Sequence, residues 1–306
     1  MPLKAMRISK HLKCYGALYL MLLLPLTILI LFKYCPMYGV QIAFRNYRIT
    51  RSIEESPWVG FKYFLRFFDY YDFWPIIRNT LSINLLSIMT FPLPLLFAIL
   101  IVHLPFRRLA KTVQNVSYIP HFISTVVLCS MVIQFTNART GLINAVTGLF
   151  GIAPVNFMAH KEYFYSIYII SDIWTNLGYN SIIYIAALTS VSNELHEAAI
   201  VDGATLVQRI WHIDIPSILP TFSTLLIMRC GTLLTVGYEK VLLLQNSLNL
   251  PVSEVISTYS YNTSLNASSP QFSYAAAIGL FSSVINLLIL YTVNKGVGKL
   301  TGNSLW

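Results

Sequence analysis

Long apolar runs separated by short polar stretches dominate the chain. Six of them approach the ~20 mainly apolar residues that a membrane-crossing helix needs. They cover roughly residues 17–32, 80–103, 116–135, 163–188, 218–244 and 274–294. Lys4, Arg7, Lys10 and Lys13 precede the first run, as in a signal peptide. No small-residue cleavage site follows; the chain continues Lys33-Tyr34-Cys35-Pro36, so an uncleaved first helix is expected. Pro92 and Pro94 predict a kink in the second run. The fourth run carries Asp172, Trp174, Asn176 and Asn180. The fifth carries Arg229 and, near its outer end, Tyr238 and Glu239. On one continuous helix Arg229 and Glu239 would lie within about 80° of each other and about 15 Å apart, too far to pair. The pattern predicts an all-α integral membrane protein of about six transmembrane helices. A single membrane domain, residues 17–295, would be flanked by tails 1–16 and 296–306, leaving no room for a soluble domain of ~100 residues.

Composition agrees with that reading. The 306 residues are 56% hydrophobic and 11% charged, with a mean hydropathy of +0.62. Soluble domains run near ~25% charged, so an ordinary soluble domain and a disordered chain are both disfavoured. The net charge of +9 does not point to nucleic acid, because the basic residues are dispersed between apolar runs. They fit cytoplasmic loops better. With both termini inside, ten Lys and Arg fall on that side, including Arg107, Arg108, Lys111, Arg209, Lys295 and Lys299. This bias holds when the long first outer loop, about residues 34–75, is discounted. Cys14, Cys35, Cys129 and Cys230 are far apart and form no metal or redox motif.

The polar segment between the fourth and fifth runs, residues 192–216, is unlike a plain connector. Ser192 or Asn193 can cap a helix rich in Glu, Ala and Leu, and Gly203 can end it. A turn and a second short helix stopped near Pro216 are expected to follow. Leu195, Ala198 and Ala199 share one face, where small side chains allow close approach. Glu197 adds a charge that a partner arginine could hold. A surface helix that merely joins two spans satisfies the same physics.

Glu197-Ala198-Ala199, then Gly203, Ile213 and Pro216 at their spacings, resemble the signature loop of permease subunits of binding-protein-dependent ABC importers. Ile215 stands where leucine is usual, a conservative departure. The stretches 34–44, 56–60, 116–123 and 237–246 and the terminal Ser304-Leu305-Trp306 resemble LplB-type polysaccharide permeases, within the branch that holds maltose and alginate-oligosaccharide importers. The resemblance implies a type I importer permease fold with a cytoplasmic coupling helix, in a bacterial inner membrane. It implies a homologous second permease subunit, two ATP-binding subunits and an external solute-binding protein as partners. ATP and Mg would be bound by the ATPase subunits, with no cofactor in this chain. Glu197, Ala198, Ala199, Asp202 and Gly203 would couple to the ATPase.

The chain carries no catalytic set of its own. It has no Walker A motif; Gly296-Val297-Gly298-Lys299-Leu300 lacks the upstream glycine and the Ser/Thr. His196-Glu197 begins like a zincin motif, but Ile200 stands where the second histidine is required. A membrane enzyme or scaffold is therefore the weaker alternative. Arg229, Glu239 and Asp172 are candidates for the substrate path, because ionisable groups within a membrane face the bundle interior or a wet cavity. Structural pairing between helices is the competing reading. Trp174, Asn176, Asn180, Tyr179 and Tyr238 offer the aromatic and amide groups a sugar needs, or else interface anchors. The first outer loop is strongly aromatic, and an amphipathic helix is expected near residues 61–71. Arg45, Arg48 and Arg51 could favour an acidic sugar. A non-sugar solute such as a peptide remains the alternative cargo.

Overall fold

The structure, a computed structural model, describes residues 2–266 and 269–305, with side chains from Tyr15 onward. The side chains of Lys4, Arg7, Lys10 and Lys13 and all of Trp306 lie outside the described residues. The chain is helical almost throughout; among the described residues the one β-type pairing is an isolated bridge between Arg45 and Trp58. Four continuous helical stretches are long and apolar enough to cross a membrane: Tyr15–Phe44, Phe73–Val102, Leu206–Cys230 and Phe272–Thr301. A bent pair makes a fifth.

The first stretch comprises α1 (Pro2–Leu29), a π-turn at Ile30–Tyr34 and a 3₁₀ segment at Cys35–Phe44. It runs to Phe44 rather than Phe32. Pro36 does not stop it: the preceding helix passes through a π-turn just before it, and Pro36 falls in the first turn of the 3₁₀ segment. The apolar part of this helix buries nothing against the rest of the chain. Only its far end is seated: Ala43 is fully buried beside Tyr63, Phe67 and Tyr274. The short helix α2 (Lys62–Phe68) lies where an amphipathic helix was expected and turns Tyr63 and Phe67 into that aromatic cluster.

The second run is interrupted beside its prolines. α3 (Phe73–Met89) and α4 (Leu93–Val102) meet at a turn over Thr90–Pro92. The ladder resumes with the Leu96 N–H donating to the Pro92 carbonyl at 3.0 Å.

The third run is not one helix. α5 (Arg107–Tyr118) passes through a 3₁₀ turn at Ile119–Phe122 and meets α6 (Thr125–Phe135) at 103°. Pro120 tightens the turn, Ile123 is extended, and Ser124 caps the new helix by accepting from the Val127 N–H at 3.4 Å. Hydropathy continued across a corner in the backbone. After α7 (Leu142–Gly148), α8 (Phe164–Thr189) fills the fourth run with 26 residues, about 39 Å of helix. It is long enough to cross but more polar than the others.

α8 and α5 are held unusually close at Gly178. A Cβ there would fall within contact of the Ser117 backbone and its hydroxyl. Gly178→Val is therefore expected to lower the thermal midpoint of the purified protein, at the upper end of the ~1–3 kcal/mol typical of overpacking. Gly279→Ala, where the same atom would meet open space, is the control and is expected to change little.

The segment after α8 holds α9 (Asn193–Val201) and α10 (Leu206–Arg209), then a π-turn at Ile210–Asp214 that leads into α11 (Ile215–Cys230). The expected stop near Pro216 does not occur. Pro216 occupies the first turn of α11, just past the π-turn, so one helix runs from Leu206 to Cys230.

The fifth run also breaks, and its expected single helix over 218–244 is corrected. α11 ends at Cys230, Gly231–Leu234 turn, and α12 (Tyr238–Leu244) starts anew. Asn286 catches the break: its Oδ1 accepts from the Leu234 N–H at 2.8 Å and its Nδ2 donates to Thr235 Oγ1 at 2.9 Å. Arg229 and Glu239 therefore do not share a helix. α13 (Leu250–Ser253) and α14 (Ile256–Ser264) then lead into α15 (Phe272–Thr301), which contains Asn286 and covers the sixth run.

Candidate functional site

The polar positions of α8 build one wall of a cavity of about 770 Å³. Asp172, Asn176 and Asn180 are spaced by four and lie on one helical face, all lining it. α3 contributes Asn84 and Ser87, and α11 contributes Arg229. Tyr168, Tyr179 and Tyr184 add aromatic surface. The Tyr184 hydroxyl is buried and meets no hydrogen-bond partner among the described residues. The volume falls within the ~300–1,000 Å³ of small-molecule sites.

A chain of polar contacts fixes this wall. Lys240, on α12, is only 12% exposed at its side chain and lies 3.4 Å from Asp172 Oδ1. Its ammonium also donates to the Tyr168 carbonyl at 3.0 Å and lies 4.4 Å from the centroid of the Tyr168 ring. Asn176 Nδ2 donates to the same Asp172 oxygen at 3.1 Å, and Asn176 Oδ1 lies 3.0 Å from His121 Nδ1. The His121 ring stacks on Tyr179 at 3.7 Å with an interplanar angle of 6°. The corner between α5 and α6 thus supplies a ring that orders the cavity wall.

Arg229 differs from Lys240. Its Nη2 donates to Ser87 Oγ at 2.7 Å, a neutral partner, and no carboxylate pairs with it among the described residues. A guanidinium without a counter-ion, set in a polar cavity, suits a bidentate anionic ligand.

Three expected path residues are not part of this wall. Trp174 is two positions from both Asp172 and Asn176, about 200° round the helix, and is 40% exposed elsewhere. Tyr238 stacks on Tyr261 with centroids 5.1 Å apart. Glu239 is exposed on α12, beyond the break that separates it from Arg229. Sequence reasoning did not single out Ser87, Asn84, Tyr168, Tyr184 or His121. Their signal in sequence was weak, because single hydroxyls and amides are ordinary in membrane helices.

The second feature is the α9 loop. Ser192 caps α9 by accepting from the Glu194 N–H at 3.3 Å. Gly203 has φ +77°, and the helix ends in two reversed bonds, Ala204 N–H to the Ala199 carbonyl at 2.8 Å and Gly203 N–H to the Ile200 carbonyl at 3.0 Å. This pair of bonds defines a Schellman termination. Thr205 and Gln208 then form a capping box that starts α10. Glu197, Ala198, Asp202 and Gly203 are exposed and Ala199 is half-buried. Leu195, Ile200, Val201 and Val207 are exposed beside them. The loop is a rigidly terminated helix presenting acidic and apolar groups outward.

Sequence comparison matches residues 75–294 to the family described as binding-protein-dependent transport system inner membrane component. The chain is 39% identical over 279 residues to the polygalacturonan/rhamnogalacturonan transport system permease protein YteP of Bacillus subtilis (strain 168), covering 91% of this chain and 86% of YteP. It is 37% identical to protein LplB of the same organism, covering 90% and 87% respectively. Its fold superposes with a TM-score of 0.87 and 36% identity on a chain from the crystal structure of a bacterial alginate ABC transporter in complex with an alginate pentasaccharide-bound periplasmic protein. That match covers 98% of this chain and all of the other.

Proposed function

This chain belongs to the family of binding-protein-dependent transport system inner membrane components, and from that premise we propose that it forms half of a pore importing acidic oligosaccharides. It is a non-catalytic, multi-pass permease subunit of an ABC importer of the inner membrane. The cargo reading rests on the cavity cation: Arg229 faces a site of about 770 Å³, and Ser87 is its side-chain partner among the described residues. A uronate carboxylate would accept from the guanidinium, while Asn176, Asn180 and the exposed Tyr179 would meet the sugar rings and hydroxyls. The polygalacturonan permease and the alginate transporter among its relatives support an anionic sugar over a peptide.

The remaining parts follow the same reading. A homologous second permease subunit completes the pore, and a loaded solute-binding protein delivers cargo on the outer side. Two ATPase subunits hold ATP and Mg. Both termini lie in the cytoplasm of a bacterial cell, and the pore domain spans residues 17–295. Glu197, Ala198, Ala199, Asp202 and Gly203 seat in a cleft on the ATPase, whose closure rocks the bundle and changes the side to which the cavity opens.

The experiment is ATP hydrolysis by the reconstituted complex with its binding protein loaded with uronate or neutral oligosaccharides. Stimulation by uronate oligosaccharides is the expected result. Stimulation by neutral sugars alone would overturn the acidic cargo and keep the importer.

A further inference from the structure

α9 faces a mechanical problem. It buries no residue, so packing does not join it to the bundle that it has to move. Among the described residues, its side-chain tie to the bundle runs through His196. His196 Nε2 lies 3.3 Å from Asp214 Oδ1. The other oxygen of the same carboxylate, Oδ2, lies 2.8 Å from His103 Nε2. Asp214 is 2% exposed, and the two imidazoles are 18% and 17% exposed at their side chains.

Each of the three residues belongs to a different moving part. His196 is on α9. His103 follows the last residue of α4, the inner half of the interrupted span. Asp214 closes the π-turn from which α11 departs. The buried carboxylate accepts from His103 Nε2–H through Oδ2, and His196 Nε2 stands within ion-pair distance of Oδ1. The π-turn explains how Asp214 reaches inward: the extra residue in the turn rotates the positions after it relative to an uninterrupted helix. The two rings sit 6.3 Å apart, nearly edge to face, so they clasp the carboxylate rather than each other.

We propose that Asp214 and His196, with His103, are positioning residues that fasten α9 to α4 and α11, so that a displacement of α9 becomes a displacement of the spans. This rests on the reading of α9 as the ATPase contact. The clasp neither binds ATP nor touches cargo. It sets how much of the motion of α9 reaches the Arg229 cavity, since α11 carries Asp214 at its start and Arg229 near its end.

The test uses the complete complex in proteoliposomes, measuring ATPase attachment, ATP hydrolysis and oligosaccharide uptake together. In His196→Ala the ATPase should stay attached and hydrolyse ATP, while uptake per ATP falls about tenfold or more, as expected when the contact of α9 with Asp214 is removed. His196→Gln, whose amide N–H reaches the same position as Nε2, should restore most of the ratio. His103→Ala should reproduce the loss. The proposal is overturned if His196→Ala keeps a wild-type uptake ratio, if His196→Gln is as impaired as His196→Ala, or if His196→Ala releases the ATPase. Glu197→Ala runs alongside: attachment surviving that change would sink the ATPase reading of α9, and the clasp with it. The two failures are distinct, one seen in attachment and the other in uptake per ATP.

Discussion

Arg229→Met is expected to abolish most uptake of a uronate oligosaccharide while leaving a neutral oligosaccharide of equal length nearly unaffected. Methionine keeps much of the length and apolar stem of arginine and removes the charge. A hydrogen bond to a charged group contributes about 1.5–3 kcal/mol, which corresponds to roughly 10- to 150-fold in affinity. The loss should be greatest in the concentration dependence of uptake, because the proposed contact forms when cargo occupies the cavity. Arg229→Lys should recover only part of it, since an ammonium cannot offer the paired N–H groups of a guanidinium. Ser87 Oγ loses its donor in the methionine variant, and a purely structural role for Arg229 would lower both sugars alike. Parallel uptake curves for uronate and neutral substrates decide between the two.

The second large effect belongs to Gly203. Its φ of +77° is a conformation that side chains with a Cβ resist by about 1–2 kcal/mol, and β-branched ones by more. Gly203→Val should therefore unmake the two reversed bonds that end α9 and displace the Thr205–Gln208 cap that follows. The proposed contact surface, Glu197 through Gly203, would lose its fixed exit. The expected result is at least a tenfold loss of ATPase subunit recovered with the permease pair, with the membrane bundle still folded. Gly203→Asn should be mild, because asparagine visits the left-handed region far more readily than valine. Equal recovery for valine and wild type would mean that the termination of α9 is irrelevant to docking.

The α9 loop was the most legible part of the sequence. Its cap at Ser192 and its end at Gly203 are local chemistry, written in adjacent residues, and the structure places both where the spacing put them. The interruption beside Pro92 was legible for the same reason. The corner at Ile123 and the break at Gly231–Leu234 were not, because hydropathy reports how apolar a stretch is and not whether its hydrogen-bond ladder continues. What stabilises the second break is Asn286, more than fifty positions away, and no local pattern announces it. The cavity was half legible. Asp172, Asn176 and Asn180 share a helical face by arithmetic, whereas the side-chain chemistry of Trp174 and Tyr238 says nothing of the direction in which each points. The pairing of Lys240 with Asp172 was not legible, because it depends on where α12 places Lys240 relative to α8. The two histidines on Asp214 were beyond reach for the same reason: their neighbours come from three elements.

The polarity of α8 has a consequence for biosynthesis. An aspartate near the middle of a nascent helix costs about 2.5–3.5 kcal/mol when the helix is released into lipid, and Asn176 and Asn180 add to that penalty. The cation that answers Asp172 is Lys240, which the ribosome adds 68 residues later. When α8 first leaves the ribosome its counter-ion has not been made. The fourth helix is therefore expected to be retained at the insertion machinery, or held against α3 and α4, until α12 has followed. On this reasoning the pairing of charges, as well as the order of synthesis, is expected to set the order of insertion.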